Sequence, residues 1–262
     1  MPYHQVNDID LYYECSGEGS PVLFLHGLGS SSQDWEAQRA AFSTRYRMII
    51  VDFRGHGRSS KPKRPYSIPL FAQDTADLIK HMNVASLDVL GISMGGMVAM
   101  QLALDAPHLI NHLVIVNSAP AIQSQSFTLR QFMQFIQRRF VLRFQGMQGM
   151  GRLISNLLFP YPEQADLRRI CRERWTKNDR QAYEASMNAI LRWNVIERLT
   201  ELRNPTLVIA GRQDFIPLPY KQKYANLIPG ARLVVIENSR HATPVDQMEQ
   251  FNRIVLDFLA GQ

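Results

Sequence analysis

Cysteine is nearly absent: Cys15 and Cys171 are the only two in 262 residues. Two isolated thiols exclude the disulfide framework that staples small secreted domains, although a single bridge stays open. No apolar run is long enough to span a bilayer, so no stable membrane insertion is expected. The polar start MPYHQVNDID does not read as a signal peptide, and a cytoplasmic address is the expectation. Internal repeats and low-complexity tracts are also missing, which removes solenoids and tethers from consideration. Acidic residues are in deficit, 23 against 29 Lys and Arg, for a net charge of +6. The deficit is local. Residues 121–200 carry 13 Arg and Lys against 6 Asp and Glu, while the rest of the chain carries 16 against 17.

What is present is an ordinary globular composition, 45% hydrophobic and 20% charged, long enough for one large domain or a domain with an insertion. Its organising stretch is 87–104, LDVLGISMGGMVAMQLAL. An apolar run at 87–90 reads as a buried strand, and a helical pattern begins at Met94. Between them stands Gly91-Ile92-Ser93-Met94-Gly95, a G-x-S-x-G sequence. Such a turn lifts a serine oxygen above a sheet edge, and the glycines admit neighbouring backbone. The helix N-terminus offers unpaired N–H groups to a developing negative charge.

Around this stretch the chain alternates strand and helix signals. Apolar runs at 22–25, 48–51, 113–116, 206–210 and 233–236 read as strands, with helices at 35–42, 70–82, 217–227 and 244–259. This rhythm predicts an α/β fold with a mostly parallel, doubly wound sheet. It breaks at 121 and resumes near 205. The expected organisation is therefore a catalytic domain of residues 1–120 and 201–262, interrupted by a helical insertion at 121–200.

A serine hydroxyl needs an adjacent base, itself oriented by a third group. In an open parallel sheet such groups gather at the carboxyl ends of strands. Asp214 follows the strand at 206–210, and His241 follows the strand at 233–236. Alone, Asp214 reads as a turn cap and His241 as a loop histidine. Three suitable residues on three strand ends, in the order Ser93, Asp214, His241, read together as a catalytic triad. Asp246 and Glu249 are assigned to the closing helix. Two backbone donors are expected for an oxyanion: Met94 N–H, directly after the serine, and Leu28 N–H, in the loop His26-Gly27-Leu28-Gly29.

On these residues the chain resembles the serine hydrolases of the α/β-hydrolase superfamily. The resemblance runs through His26-Gly27 with Gly29, residues 52–59, residues 91–96, Gly211 with Asp214 and Pro217, and His241 with Pro244. It is similar to bacterial carboxylesterases, 3-oxoadipate enol-lactonases and pimeloyl-acyl-carrier-protein methyl ester esterases. The resemblance implies an α/β-hydrolase fold with a helical cap at 121–200, an acyl-enzyme mechanism, and no metal or cofactor. Haloalkane dehalogenases and epoxide hydrolases share the architecture but place Asp at the nucleophile, where this chain has Ser93. Arg240 stands where a small residue is usual, and Ala242 where carbon–carbon bond hydrolases tend to have Trp. Lactonase and perhydrolase chemistry use the same triad and stay open, as does a receptor with little turnover.

Two rival motifs are weaker. Gly27-Leu28-Gly29 with Asp52 imitates a dinucleotide fingerprint, but its third glycine is Ser32. His108 and His112 stand four apart with no accompanying glutamate motif, so metal ligation is not expected. Substrate choice is assigned to the insertion, where Phe132, Phe135, Ile136, Arg138, Arg139 and Arg143 are the candidates for contact. Burial and an acyl pocket are both open readings for the aromatic residues there. Met147 and Met150 within GMQGMG read as an adaptable stretch. The +7 balance of the segment points to a small anionic ester or an ester on an acidic carrier protein as partner, and not to nucleic acid, since no base-reading module is evident.

Overall fold

The computed structural model describes residues 2–122 and 129–261, with the backbone alone at 129–132, 134 and 135. Among these the strands β1 (Tyr3–Val6), β2 (Ile9–Ser16), β3 (Ser20–Leu25), β4 (Tyr46–Val51), β5 (Leu87–Ile92), β6 (Ile110–Val116), β7 (Thr206–Gly211) and β8 (Arg232–Ile236) form one sheet. Their order is β1-β2-β4-β3-β5-β6-β7-β8. The β1–β2 and β2–β4 pairs are antiparallel, and every pairing from β4 to β8 is parallel. The mostly parallel sheet read from the sequence is thus correct, with an antiparallel margin. β1 escaped the pattern because its YHQV is mostly exposed and carries no apolar run.

The central strands read as continuous apolar runs because both faces are covered. Side chains alternate between two cores, as a period of two requires. Leu23, Leu25, Ile49 and Val51 enter one core, under α2 (Ile68–His81) and α3 (Met94–Asp105). Val22, Phe24, Met48 and Ile50 enter the other, against α1 (Glu36–Phe42) and the closing helix. That closing segment is split at Gln247, whose φ of −135° and ψ of 48° leave the helical region, into α8 (Thr243–Asp246) and α9 (Met248–Leu259), where the sequence reads as a single helix.

Between β6 and β7 the described chain is helical: α4 (Leu129–Leu158), α5 (Ala165–Thr176) and α6 (Arg180–Arg192). An isolated bridge between Ala121 and Asn194 clamps the two ends of this segment together. The helices share a small core of their own, including Leu142, Met150, Ile154, Trp175 and Tyr183, which reaches Leu28, Ala242 and Val245. α4 is kinked at Gly146, whose φ of 60° and ψ of −157° leave the helical region. Met147 and Met150, read from the sequence as an adaptable stretch, are buried here. After this segment the chain returns to the sheet as β7 and then α7 (Leu218–Ala225).

Candidate active site

Ser93 occupies the turn between β5 and α3 with φ 55° and ψ −117°, a conformation costly for any residue with a Cβ. Surrounding packing holds it there: its N–H donates to Val116 O at 2.9 Å, and its carbonyl accepts from Ser118 Oγ at 2.6 Å. The flanking glycines are required by contact. A Cβ on Gly91 would overlap the Gly95 carbonyl, and one on Gly95 would overlap the carbonyl of Leu25.

His241 lies in the loop after β8. Its Nδ1 is 2.7 Å from Asp214 Oδ1. An ionised carboxylate only accepts, so Nδ1 carries the hydrogen and Nε2 is left with a free lone pair. Asp214, three residues past the end of β7, has a fully buried side chain and receives Lys221 Nζ on its other oxygen. Burial pushes the Asp214 carboxyl up, but the charges and hydrogen bonds of His241 and Lys221 outweigh it and hold it below the usual carboxylate range. Phe215 stacks on the imidazole, with centroids 4.0 Å apart.

The loop after β3 runs across the face of the serine: a Cβ placed on Gly27 would come within 3.9 Å of Ser93 Oγ. His26 braces this loop. Its Nδ1–H donates to Gly27 O at 2.7 Å, and its Nε2 accepts from Phe53 N–H at 3.1 Å. Burial drives the His26 pKa down to about 4, so the ring stays neutral and keeps both bonds. Leu28 lies on this loop, and Met94 opens α3, where the first N–H groups have no helical acceptor. Asp52 is no ribose ligand. Its two oxygens accept from the Ser32 N–H at 2.6 Å and the Arg58 N–H at 2.8 Å.

Ser93, His241, Leu28 and Met94 line one largely apolar, partly open cavity of about 180 Å³, to which side chains of α4, α5 and α6 also contribute. Of the six contact candidates read from the sequence, Arg138 lines it, with its guanidinium 5.2 Å from the Phe215 ring centroid. Ile136, Arg139 and Arg143 do not: all three are exposed and outside the lining. At 100° per residue, positions 136, 139 and 143 share one face of α4 while 138 lies on the opposite one. The side chains of Phe132 and Phe135 lie outside the described residues. Trp175, Met187 and Phe215 also line the cavity, and the sequence reading singled out none of them.

Two further residues escaped sequence reasoning. Asn117, after β6, donates through Nδ2 to the carbonyls of Arg240 and His241 and to Thr243 Oγ1, at 2.7–3.0 Å. Its Oδ1 accepts from Gly211 N–H at 2.8 Å and Lys221 Nζ at 2.6 Å. The strand-end rule that nominated Asp214 would have reached Asn117. Nothing local marks Lys221. Asp246 is separate: its oxygens accept from Ser239 Oγ and Arg240 N–H, which ties the histidine loop to α8. Among the described residues no group of three or more His, Cys, Asp or Glu is placed to hold a metal ion, and no helix is long and apolar enough to cross a membrane.

Comparison with known proteins agrees with this fold. The chain is 31% identical to a putative carbamate hydrolase RutD of Azorhizobium caulinodans, over 98% of each chain. It is 27% identical to 3-oxoadipate enol-lactonase 2 of Acinetobacter baylyi, covering 95% of this chain and 92% of that one. The crystal structure of the enol-lactonase from Burkholderia xenovorans superposes with a TM-score of 0.91 at 26% identity, covering 99% of this chain and 100% of that one. The α/β hydrolase fold family matches residues 20–247, and with the sheet, the strained serine turn and the long-range likeness agreeing, the chain belongs to that family.

Proposed function

We propose that this protein is a serine-dependent carboxylic-ester hydrolase working through an acyl-enzyme. The observation that carries the reading is the Nδ1–Oδ1 bond of 2.7 Å between His241 and Asp214, set in the same cavity as a serine held at positive φ. Ser93 Oγ attacks the acyl carbon while His241 Nε2 takes its proton. The N–H groups of Leu28 and Met94 stabilise the oxyanion. Collapse expels the alcohol, which receives the proton from His241, and water then repeats the attack on the acyl-enzyme. Asp214 fixes the imidazole tautomer and stabilises the imidazolium. Residues 121–200 act as a cap over residues 1–120 and 201–262.

The substrate class follows from Arg138. It is a half-buried cation in an apolar cavity, set over the Phe215 ring, and among the described residues it makes no ion pair with a carboxylate. A compact ester or lactone bearing a second, ionised carboxylate supplies that partner. The alternative of an ester on an acidic carrier protein draws on the exposed basic surface of residues 121–200, Arg139 and Arg143 included; Arg138, which lines the cavity itself, favours a free anionic ester.

The test uses p-nitrophenyl esters with neutral and carboxylate-bearing acyl groups. Wild type is expected to give a stoichiometric burst of p-nitrophenol. Ser93→Ala, His241→Ala and Asp214→Asn each lose roughly a thousand-fold or more in kcat, whereas Asp246→Asn, which keeps one acceptor oxygen, stays within about ten-fold. Arg138→Gln raises KM for the carboxylate-bearing ester and leaves the neutral one unchanged. Turnover retained in Ser93→Ala overturns the serine mechanism, and absence of turnover in wild type favours a receptor.

A further inference from the structure

Lys221 is the one fully buried lysine in the core of the described chain, and the mechanism above does not use it. It sits on α7, one turn past Pro217, and its side chain runs back beneath the Asp214 loop. Its Nζ donates to Asp214 Oδ2 and, at 2.6 Å, to Asn117 Oδ1. The Asn117 amide orientation follows from its network, because Nδ2 faces two carbonyls and a hydroxyl while Oδ1 faces an N–H. Lys221 therefore meets acceptors at both contacts, one of them anionic. That environment suits an ammonium.

We propose that Lys221 is a positioning residue of the triad: it holds Asp214 toward His241 and offsets the carboxylate's charge, so that the Asp214–His241 pair takes up a proton only at lower pH than it would without the lysine. The proposal rests on the serine-hydrolase reading. With Lys221 charged, the resting cluster of Lys221, Asp214 and neutral His241 has no net charge. Without it the cluster is a buried monoanion, which binds a proton more readily. The proton is shared by a coupled pair, so the shift appears whichever member holds it. The lysine thus lowers the basicity of the site in exchange for a competent base in mildly acid solution.

Among the described residues no cation other than Lys221 and the His241 ring pairs with Asp214. Around His241 stand Asp246, bound to Ser239 and Arg240; Arg240, whose Nε donates to the Leu157 carbonyl; and Arg138, beyond Phe215. Around Lys221 stand Tyr220 and Tyr224, whose hydroxyls donate to the carbonyls of Ala121 and Ser118. Burial pushes both phenols above their ordinary range, so they stay neutral. Burial also draws the Lys221 ammonium below its ordinary range, and Asp214 pulls it back.

The experiment compares kcat/KM of a neutral p-nitrophenyl ester against pH for wild type, Lys221→Met and Lys221→Arg, with folding checked by circular dichroism. Lys221→Met is expected to move the acid limb upward by about one pH unit, and Lys221→Arg to return it toward the wild-type position even at a lower plateau. A lysine with only a structural role lowers the plateau or the melting temperature and leaves the limb in place, which overturns the proposal. If Lys221→Met does not fold, ¹⁵N NMR of the lysine Nζ in the Ser93→Ala protein decides: an ammonium at pH 7 supports the proposal, and a neutral amine overturns it. Failure of the serine reading is separate, since it appears as turnover surviving in Ser93→Ala.

Discussion

Asn117→Ala is the most informative single change in this site. Its side chain joins three segments: the end of β6, the Gly211 turn that leads to Asp214, and the loop that carries His241. Truncation removes the acceptor for the buried Gly211 N–H, one of the two acceptors of Lys221, and a donor to the His241 carbonyl. Each buried group stripped of such a partner costs about 1–1.5 kcal/mol. Asn117 also has φ 42°, a left-handed conformation that Asn tolerates and Ala does not, for about 1 kcal/mol more. The sum is about 4–5.5 kcal/mol, which in a chain of this size lowers the melting temperature by about 10 °C or more. Activity should fall further than stability implies, because Asp214 and His241 lose a shared anchor and small displacements of reacting groups cost about a hundred-fold. Thermal melting by circular dichroism and kcat at a temperature where the variant is folded check both parts. A melting temperature within 3 °C of wild type and kcat within about three-fold, against the ~10 °C and ~100-fold expected, would refute the reasoning.

Two further outcomes test the frame around the site. Gly95→Ala places a Cβ against the Leu25 carbonyl and should prevent folding or abolish activity, whereas Gly146→Ala, in open space but at φ 60° and ψ −157°, a region essentially reserved for glycine, should cost about 1–3 kcal/mol in a urea melt and leave the protein folded; a Gly95→Ala variant as mild as Gly146→Ala would show that the serine turn has room its packing denies. Acid sensitivity should come from the buried His26 and His56, whose pKa values burial lowers from 6.5 to about 4 and about 3. Both bind protons more weakly in the folded than in the unfolded chain, so stability is full above about pH 6.5 and declines as pH falls toward those values, by about 2 kcal/mol for each at pH 5. Urea midpoints at pH 7 and 5 measure this loss, and His56→Gln should reduce it; an unchanged midpoint in wild type would show that neither ring is held neutral.

The sequence by itself determined the sheet and the order of the candidate triad. Strands covered on both faces must be apolar throughout, so 22–25, 48–51 and 113–116 could be read directly. Ser93, Asp214 and His241 were legible because a parallel sheet delivers every strand's carboxyl end to one edge, which turns chain order into proximity. The polar edge strand β1 stayed hidden, because pairing at a margin needs hydrogen bonds rather than burial. Tertiary structure alone decided the rest. Arg138, Arg139 and Arg143 look equivalent as letters, yet one helical face turns Arg138 into the cavity and leaves the other two outside. Lys221 and Asn117 meet only because α7 packs back under the end of β6, 104 residues away in sequence. A lysine four residues into a helix carries no local sign of burial, and only the charge of Asp214 opposite it offsets the cost of taking it out of water.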